Sequence, residues 1–201
     1  PPADDDLLGF IQASTASALV ASKQVNDARR SYQSSVDYPD SVLAEKLKVV
    51  AQLIDAGLST RIFYVELNGF DTHAAQAETH SLLLRDWSQA LSALVLDMQE
   101  KGHGQRVSVM TFSEFGRRVS ENASGGTDHG AAAPMFFAGG GLNQTFLGQH
   151  PSLTDLQDGD LKHSIDFRQA YASVLEEWLG VDSVGVLDAE YPSLPLFRTT
   201  S

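Results

Sequence analysis

The sequence predicts an α/β protein with a mostly parallel sheet and helices on both of its faces, and three observations lead to this prediction. Two runs of β-branched and aromatic residues, at 62–67 and 107–112, are typical of strands that are buried on both faces. A helical pattern of apolar residues, from about residue 76 to residue 101, separates the two runs. Strand, helix and strand form a crossover unit that should be right-handed and parallel, so both strand ends would lie at one edge of the sheet.

Helices are predicted on either side of this sheet. One helix of modest hydrophobicity is expected from residue 7 to about residue 32. A second begins at the signal formed by residues 39–41 and ends at Gly57, because glycine suits the left-handed residue that follows a helix. The helix between the two strands carries an apolar stripe that we expect to pack on the sheet, formed by Leu83, Trp87, Leu91, Leu94 and Met98.

The carboxyl-terminal part is predicted to contain more loops. A short third strand is expected at 134–137, followed by Gly139, Gly140 and Gly141, which allow positive φ or a close approach of two backbones. A phosphate-cradling loop is the alternative, although the spacing of a P-loop is absent and no Lys-Ser/Thr pair follows. A last helix is predicted over 167–178 and ends at Gly180.

Composition limits the classes of protein to consider. The chain has 201 residues, enough for one sizeable core, so we predict a single α/β domain over residues 1–201. It begins at Pro1 without an initiator methionine, and we expect a fragment or a processed part of a longer chain.

The net charge of −12 disfavours nucleic acid as a partner, because phosphates require a basic surface. No run approaches the roughly 18 apolar residues of a membrane span, so we expect no membrane partner. The oligomeric state stays open.

Three polar clusters follow the predicted strands and contain most of the chemistry. Asp71 and His73 follow the first strand, Glu114 follows the second, and Asp128 and His129 lie in the next loop. The chain has no cysteine, and carboxylates with imidazoles suit zinc, manganese or magnesium, so that two groups of ligands could hold two metals. The alternative is that these side chains form hydrogen-bonded turns at the strand ends.

A metal site of this kind could act on esters. One metal ion can activate a nucleophile while a second steadies the leaving oxygen of a phosphate or sulfate ester. Arg117 lies on the same turn as Glu114, and its planar guanidinium could neutralise an oxyanion. Ser113 is a possible nucleophile, although a turn-forming serine is the better interpretation. The sequence lacks the Gly-x-Ser-x-Gly elbow of serine hydrolases.

The same residues belong to a series of ordered motifs that resembles a known family. Residues 47–57, 69–76, 113–117 and 126–130, with the closing segments 166–171 and 178–181, are similar to the signature segments of a bacterial family known as domain of unknown function 1501. The resemblance covers nearly the whole chain. Members are typically exported through the twin-arginine route and are grouped with the alkaline phosphatase and sulfatase superfamily. The resemblance therefore implies a periplasmic or secreted protein with the carboxyl-terminal part of an alkaline phosphatase-like fold.

The superfamily grouping implies roles for individual residues. Asp71 resembles a metal-binding aspartate before a helix, Glu114 takes the place of a carboxylate ligand at a strand end, and His129 resembles the last metal-binding histidine. Two departures affect the expected number of metals: Phe115 stands where the superfamily has a histidine, and His73 follows Asp71 by two residues instead of four. In that superfamily the attacking serine or threonine comes from an amino-terminal segment, and this chain resembles only the carboxyl-terminal part.

These inferences lead to two hypotheses about function. The first is a metal-dependent hydrolase of small anionic phosphate or sulfate esters, with zinc or manganese as its cofactor. Its predicted metal ligands are Asp71, His73, Glu114, Asp128 and His129, and its predicted catalytic oxyanion partner is Arg117. The second is a non-catalytic binding or scaffold protein that retains the fold with an incomplete site. Phe115 in a ligand position and the missing nucleophile favour this second hypothesis.

Overall fold

A computed structural model describes residues 7–143 and 146–198 of the chain. The chain divides into two compact units. The first unit consists of the chain up to Leu67 together with Asp86–Lys101, and the second consists of Asn68–Arg85 together with the chain from Gly102 onward. The single α/β domain over residues 1–201 stays a prediction.

The first unit is helical. It contains α1 (Leu7–Ser31), α2 (Val42–Asp55) and the part of α3 (Gln76–Glu100) that follows Arg85. Ser41 caps α2, because its Oγ accepts a hydrogen bond from the N–H of Ala44 at 3.2 Å. Gly57 follows this helix at φ +73°, a left-handed conformation that favours glycine, so the predicted start and stop signals are confirmed. No helix among the described residues combines the length and the apolarity needed to cross a membrane.

Apolar residues of α2 and α3 form most of the core of the first unit. The buried ones recur at helical spacing: Leu43, Ala44, Leu47 and Ala51 in α2, and Ala90, Leu91, Ala93, Leu94 and Met98 in α3. Fully burying a leucine or methionine side chain stabilises a protein by roughly 1.5–3 kcal/mol, so this stripe is a major source of stability. Three residues of the predicted stripe, Leu91, Leu94 and Met98, are buried. They belong to the helical first unit, which has no strand among its described residues, so their expected packing on a sheet is wrong.

Asp97 is a carboxylate within that apolar stripe, and it is 0 % exposed. Three hydroxyl groups donate hydrogen bonds to it, from Tyr32 at 2.5 Å, Tyr38 at 2.7 Å and Ser34 at 2.8 Å. Burial, together with the Asp97 carboxylate, raises the pKa of both tyrosines. The three hydrogen bonds satisfy the buried carboxylate and tie the connection between α1 and α2 to α3.

The strands of the second unit form three antiparallel pairs. They are β1 (Ser108–Thr111) with β4 (Phe136–Gly139), β2 (Gly116–Glu121) with β3 (Thr127–Gly130), and β5 (Leu156–Gln157) with β6 (Asp160–Leu161). The predicted mostly parallel sheet with helices on both faces, in the alkaline phosphatase-like arrangement, is therefore wrong. Helices and strands are both present, but every strand pair in the described part of the chain is antiparallel and two-stranded.

The segment 62–67 accounts for this difference. Its β-branched and aromatic residues predict a strand buried on both faces, yet the structure assigns these residues to no strand. Ile62 and Tyr64 are 71 % and 74 % exposed. A run of such residues shows that the chain favours a pleated, buried position, but it does not specify which strand lies alongside. The crossover unit needs two strands in one sheet, and β1 instead pairs with β4.

The carboxyl-terminal elements surround a small core in the second unit. They are α4 (Phe167–Ser173), a π-helix (Val174–Trp178) and α5 (Val184–Leu187). The last helix is thus confirmed in position, although its second half has π geometry. Ala170, Leu196 and Phe197 are buried in this core, and Trp178 stacks on Phe197 with ring centroids 5.1 Å apart.

The three consecutive glycines at the end of β4, Gly139 to Gly141, serve close packing. A Cβ on Gly140 would lie 2.2 Å from the carbonyl oxygen of Gly104, and one on Gly141 would lie 2.5 Å from the Trp178 ring. Any larger residue would displace the neighbouring backbone or ring. The close-approach interpretation of these glycines is therefore confirmed.

Candidate metal centre

Three of the side chains predicted as metal ligands converge in the second unit. The Asp71 Oδ1 atom lies 2.8 Å from Nε2 of His129 and 3.5 Å from Nδ1 of His73. The three ligand atoms all lie within 4.8 Å of one another. Asp71, His73 and His129 have side chains that are 69 %, 49 % and 43 % exposed. Within residues 7–143 and 146–198, this is the group of three His, Asp or Glu side chains whose ligand atoms come close enough to share a metal ion.

The spacing and chemistry of this cluster suit a tetrahedral cation. With metal–ligand bonds of roughly 2.1 Å, two ligands of a tetrahedral zinc ion lie about 3.4 Å apart. The 3.5 Å separation from the aspartate oxygen to Nδ1 of His73 is near that value, whereas the 2.8 Å contact with Nε2 of His129 has the length of a hydrogen bond. Two imidazoles with one carboxylate are a typical protein ligand set for catalytic zinc, and the same groups suit manganese. Because all three side chains are accessible, a fourth position can take a water molecule.

The hairpin of β2 and β3 places His129. In its register Arg117 lies opposite His129 and Gly116 lies opposite Gly130. A Cβ on Gly116 would lie 1.8 Å from the carbonyl oxygen of Ala132, and one on Gly130 would lie 2.8 Å from that of Arg117. The two glycines therefore allow tight backbone contacts on either side of the strand that carries the histidine.

The turn between β2 and β3 binds the start of α3. The carbonyl oxygens of Ser124 and Gly125 accept hydrogen bonds from the N–H groups of Ala75 and Gln76, both at 3.0 Å. Ala75 has a φ of +45°, a conformation that costs free energy in a residue other than glycine. The two hydrogen bonds hold this strained residue in place, only two positions after His73, a predicted ligand.

Asn122 is the central side chain of that turn. Its Nδ2 donates to the carbonyl oxygen of His73 at 3.0 Å and to Oδ1 of Asp128 at 3.1 Å. Its Oδ1 accepts from the N–H groups of Ser124 at 3.0 Å and Gly126 at 3.1 Å. Gly126 is buried against the histidine backbone, since a Cβ there would lie 2.6 Å from the His73 carbonyl oxygen. The turn thus fixes the backbone of one predicted ligand.

Arg117 joins the segments that carry the other two clustered side chains, Asp71 and His129. Its guanidinium donates through Nη1 to the carbonyl oxygen of Thr127 and through Nη2 to that of Phe70, both at 2.5 Å. Phe70 immediately precedes Asp71, and Thr127 lies two residues before His129. The arginine therefore connects the Asp71 segment to β3.

Phe115 covers one face of the His129 ring. The two rings are nearly parallel, with an interplanar angle of 6° and centroids 3.8 Å apart. The guanidinium carbon of Arg117 lies 5.2 Å from the centroid of the Phe115 ring. Stacking restricts rotation of the imidazole, so its Nε2 edge stays directed at Asp71.

Glu114 and Asp128 lie outside the three-residue cluster. Glu114 is exposed on the connection between β1 and β2. Asp128 neighbours His129 on β3, where successive side chains point to opposite faces, and it accepts the hydrogen bond from Asn122. Their roles as metal ligands, and the role of Arg117 toward an oxyanion, stay predictions.

Sequence reasoning missed Asn122 and treated Phe115 only as a departure from a ligand pattern. The signal for Asn122 was its position at the start of Asn-Ala-Ser-Gly-Gly, since asparagine side chains commonly bond to the backbone N–H two residues on. The contact between Phe115 and His129 had no such local signal, because it depends on how the chain returns along β3.

Comparison with known proteins finds one family whose model matches a range of residues that includes this centre. A family model described as "Protein of unknown function (DUF1501)" matches residues 4–185. The three clustered side chains and the turn that binds them all lie inside the matched range. No curated protein and no solved structure matches the chain.

Proposed function

This chain belongs to the DUF1501 family of proteins of unknown function, and we propose that it is a metal-dependent hydrolase of phosphate or sulfate esters. The proposed cofactor is a zinc or manganese ion held by Asp71, His73 and His129. The convergence of three ligand atoms within 4.8 Å carries the proposal. Asp71 and His129 are 58 positions apart in the chain, so their contact is a product of the fold and not of a local turn.

The proposed task of the protein is to hold the cation and to leave one side of it open. Asp71 supplies the single negative charge among the three ligands, so the loaded centre keeps a net positive charge that attracts an anionic ester. Imidazole binds a metal ion in its neutral form. The Phe115 ring, which stacks on His129, restricts the rotation of that imidazole. When bound, the metal ion polarises an ester oxygen and activates a water molecule. The exposure of all three ligands gives a substrate access to this side.

The other predicted site residues keep their places in the proposal as candidates for additional roles. Glu114 and Asp128 remain candidate ligands for a second cation. Arg117 remains the candidate oxyanion partner, and it would contact an ester through N–H groups other than those given to the carbonyls of Phe70 and Thr127.

The resemblance of the ordered motifs supports further parts of the proposal. We propose that the protein is exported by the twin-arginine route and acts in the periplasm or outside the cell. From the order of the motifs, and not from the arrangement of the strands, we also propose a relationship to the alkaline phosphatase and sulfatase superfamily, which selects phosphate and sulfate esters as the substrate class. Because the net charge is −12, we propose that a small anionic ester binds only at the cationic centre. The same charge disfavours nucleic acid as a partner.

A non-catalytic binding protein is the second candidate. It is favoured by the engagement of the polar groups near the cluster in structural bonds: the Ser113 hydroxyl donates to the carbonyl of Phe115 at 3.0 Å, and the Arg117 guanidinium is held by two carbonyls. Such a protein would bind the cation and leave an added ester intact.

Hydrolysis of 4-nitrophenyl phosphate and 4-nitrophenyl sulfate tests the proposed activity. We expect the purified chain to release 4-nitrophenol with zinc or manganese and to stop when a chelator is added. Asp71→Asn should lower the rate by at least about 100-fold, because loss of a ligand should exceed the 10- to 100-fold effect of an outer partner.

His103→Gln is the control for this assay, since the His103 ring accepts a hydrogen bond from Nε of Arg106 at 3.2 Å and His103 is not one of the three clustered side chains. Equal rates in the Asp71 and His103 variants would contradict the hydrolase proposal. Metal binding without release of 4-nitrophenol from either ester would favour the second candidate.

A further inference from the structure

We propose that Asn122 is a positioning residue of the metal centre, which fixes the backbone of His73 and thereby places the His73 ligand atom. The inference rests on the proposed function, because it assigns Asn122 a role toward the proposed cation. It also gives Asp128 a role: its carboxylate orients the Asn122 amide.

The Asn122 side chain uses all of its hydrogen-bonding capacity. An amide side chain has two N–H donors and two acceptor lone pairs. Nδ2 donates to the carbonyl oxygen of His73 and to Asp128, and Oδ1 accepts from the N–H groups of Ser124 and Gly126. Exchanging the nitrogen and the oxygen would place oxygen against oxygen at two positions, so only one orientation of the amide satisfies its surroundings.

Asn122 acts on His73 by two routes. The direct route is the 3.0 Å hydrogen bond from Nδ2 to the carbonyl oxygen of His73. The indirect route is the shape of the turn, because the bonds that Oδ1 accepts hold the Ser124 carbonyl where it receives the N–H of the strained Ala75. Residues 68–75, which precede α3 and include His73, form neither a helix nor a strand, so the histidine backbone is not held by secondary structure.

Asp128 is the partner that makes this orientation favourable. Its Oδ1 accepts the second N–H of the Asn122 amide at 3.1 Å. A hydrogen bond to a charged acceptor is stronger than one between neutral groups. Asp128 therefore contributes to the centre through Asn122 without touching the cation.

A near-isosteric change can separate this positioning role from a general structural one. In Asn122→Asp both side-chain atoms become acceptors, and one of them faces the His73 carbonyl and the Asp128 carboxylate. Adding Asp128→Asn supplies a donor between residues 122 and 128, but it gives no donor to the His73 carbonyl. The double variant thus repairs the turn and leaves the histidine unheld.

The experiment makes two measurements on the 201-residue chain: zinc affinity, by competition with a chromophoric chelator, and the free energy of unfolding of the metal-free protein in urea. We expect Asn122→Ala and Asn122→Asp each to weaken zinc binding by about 10- to 100-fold, the usual effect of losing an outer partner. In the double variant the stability of the metal-free chain should recover while the zinc affinity stays weakened. Asn143→Ala, at an exposed position, is the control and should match the wild type in both measurements.

Three outcomes would overturn the inference. Zinc affinity of Asn122→Ala within twofold of the wild type would show that Asn122 does not place the ligand. Recovery of affinity together with stability in the double variant would assign Asn122 a structural role alone. A wild type that binds zinc no better than Asp71→Asn would overturn the metal centre itself, and the inference with it. The first two outcomes require a wild type that binds zinc, so they are distinct from failure of the proposed function.

Discussion

Asp97 and Asp71 are the same type of side chain in two different surroundings. Asp97, in the first unit, is fully buried and accepts hydrogen bonds from three hydroxyl groups. Asp71, in the second unit, is mostly exposed and faces the imidazole rings of His73 and His129. The surroundings of Asp97 indicate a structural role, and those of Asp71 are compatible with its proposed role as a metal ligand.

The difference follows from what each carboxylate can still bind. Burying a carboxylate costs several kcal/mol unless hydrogen bonds or a partner charge compensate it. At Asp97 the hydroxyls of Tyr32, Tyr38 and Ser34 supply that compensation and occupy both oxygens. Asp71 exchanges its contacts with water at little cost and has two imidazole nitrogens beside it. A carboxylate already surrounded by donors holds the fold, whereas an accessible one beside imidazoles can hold a cation.

Replacing aspartate by asparagine at both positions tests this comparison, and it has the largest expected effect on the free energy of unfolding. Asp97→Asn removes the charge and one of two acceptor oxygens, so we expect a loss of about 2–3 kcal/mol in the free energy of unfolding. Asp71→Asn in the metal-free chain should change that free energy by less than about 0.5 kcal/mol, as surface substitutions usually do. Urea unfolding followed by circular dichroism measures both. Similar losses at the two positions would remove the distinction.

The pH dependence of stability sharpens the account of Asp97. Burial and Asp97 raise the pKa of Tyr38 above its ordinary value of about 10. Its contribution to stability is therefore fully present below pH 10 and is lost as pH rises further, because the unfolded chain releases the proton first. Tyr38→Phe should cost about 1.5 kcal/mol near pH 7 and should flatten the fall in stability above pH 10. An unchanged slope in this variant would contradict the assigned contact.

The helices were predictable because their signals are local. Ser41 as a cap, Gly57 as a stop and the spacing of Leu91, Leu94 and Met98 all act within a few residues of the chain. The sheet was not predictable in the same way. The run at 62–67 favours a strand, but strand pairing depends on residues far away in sequence, and the structure pairs β1 with β4 in antiparallel fashion.

The candidate centre shows the same division between local and distant information. Residue type and order named Asp71, His73 and His129, and the structure places these side chains together. The supports of the centre depend on contacts across the fold, such as Asn122 with His73, 49 positions apart. Asp97 was hidden for the same reason, since Tyr32 and Tyr38 are 65 and 59 positions away from it.

Metal content tests the central claim most directly. The wild type, Asp71→Asn and the control His103→Gln are purified, exposed to zinc and manganese, dialysed against metal-free buffer and analysed by mass spectrometry. We expect close to one equivalent of zinc or manganese in the wild type and in His103→Gln, and little or none in Asp71→Asn. No retained metal in the wild type, or equal metal in the two variants, would contradict a cation site at Asp71, His73 and His129.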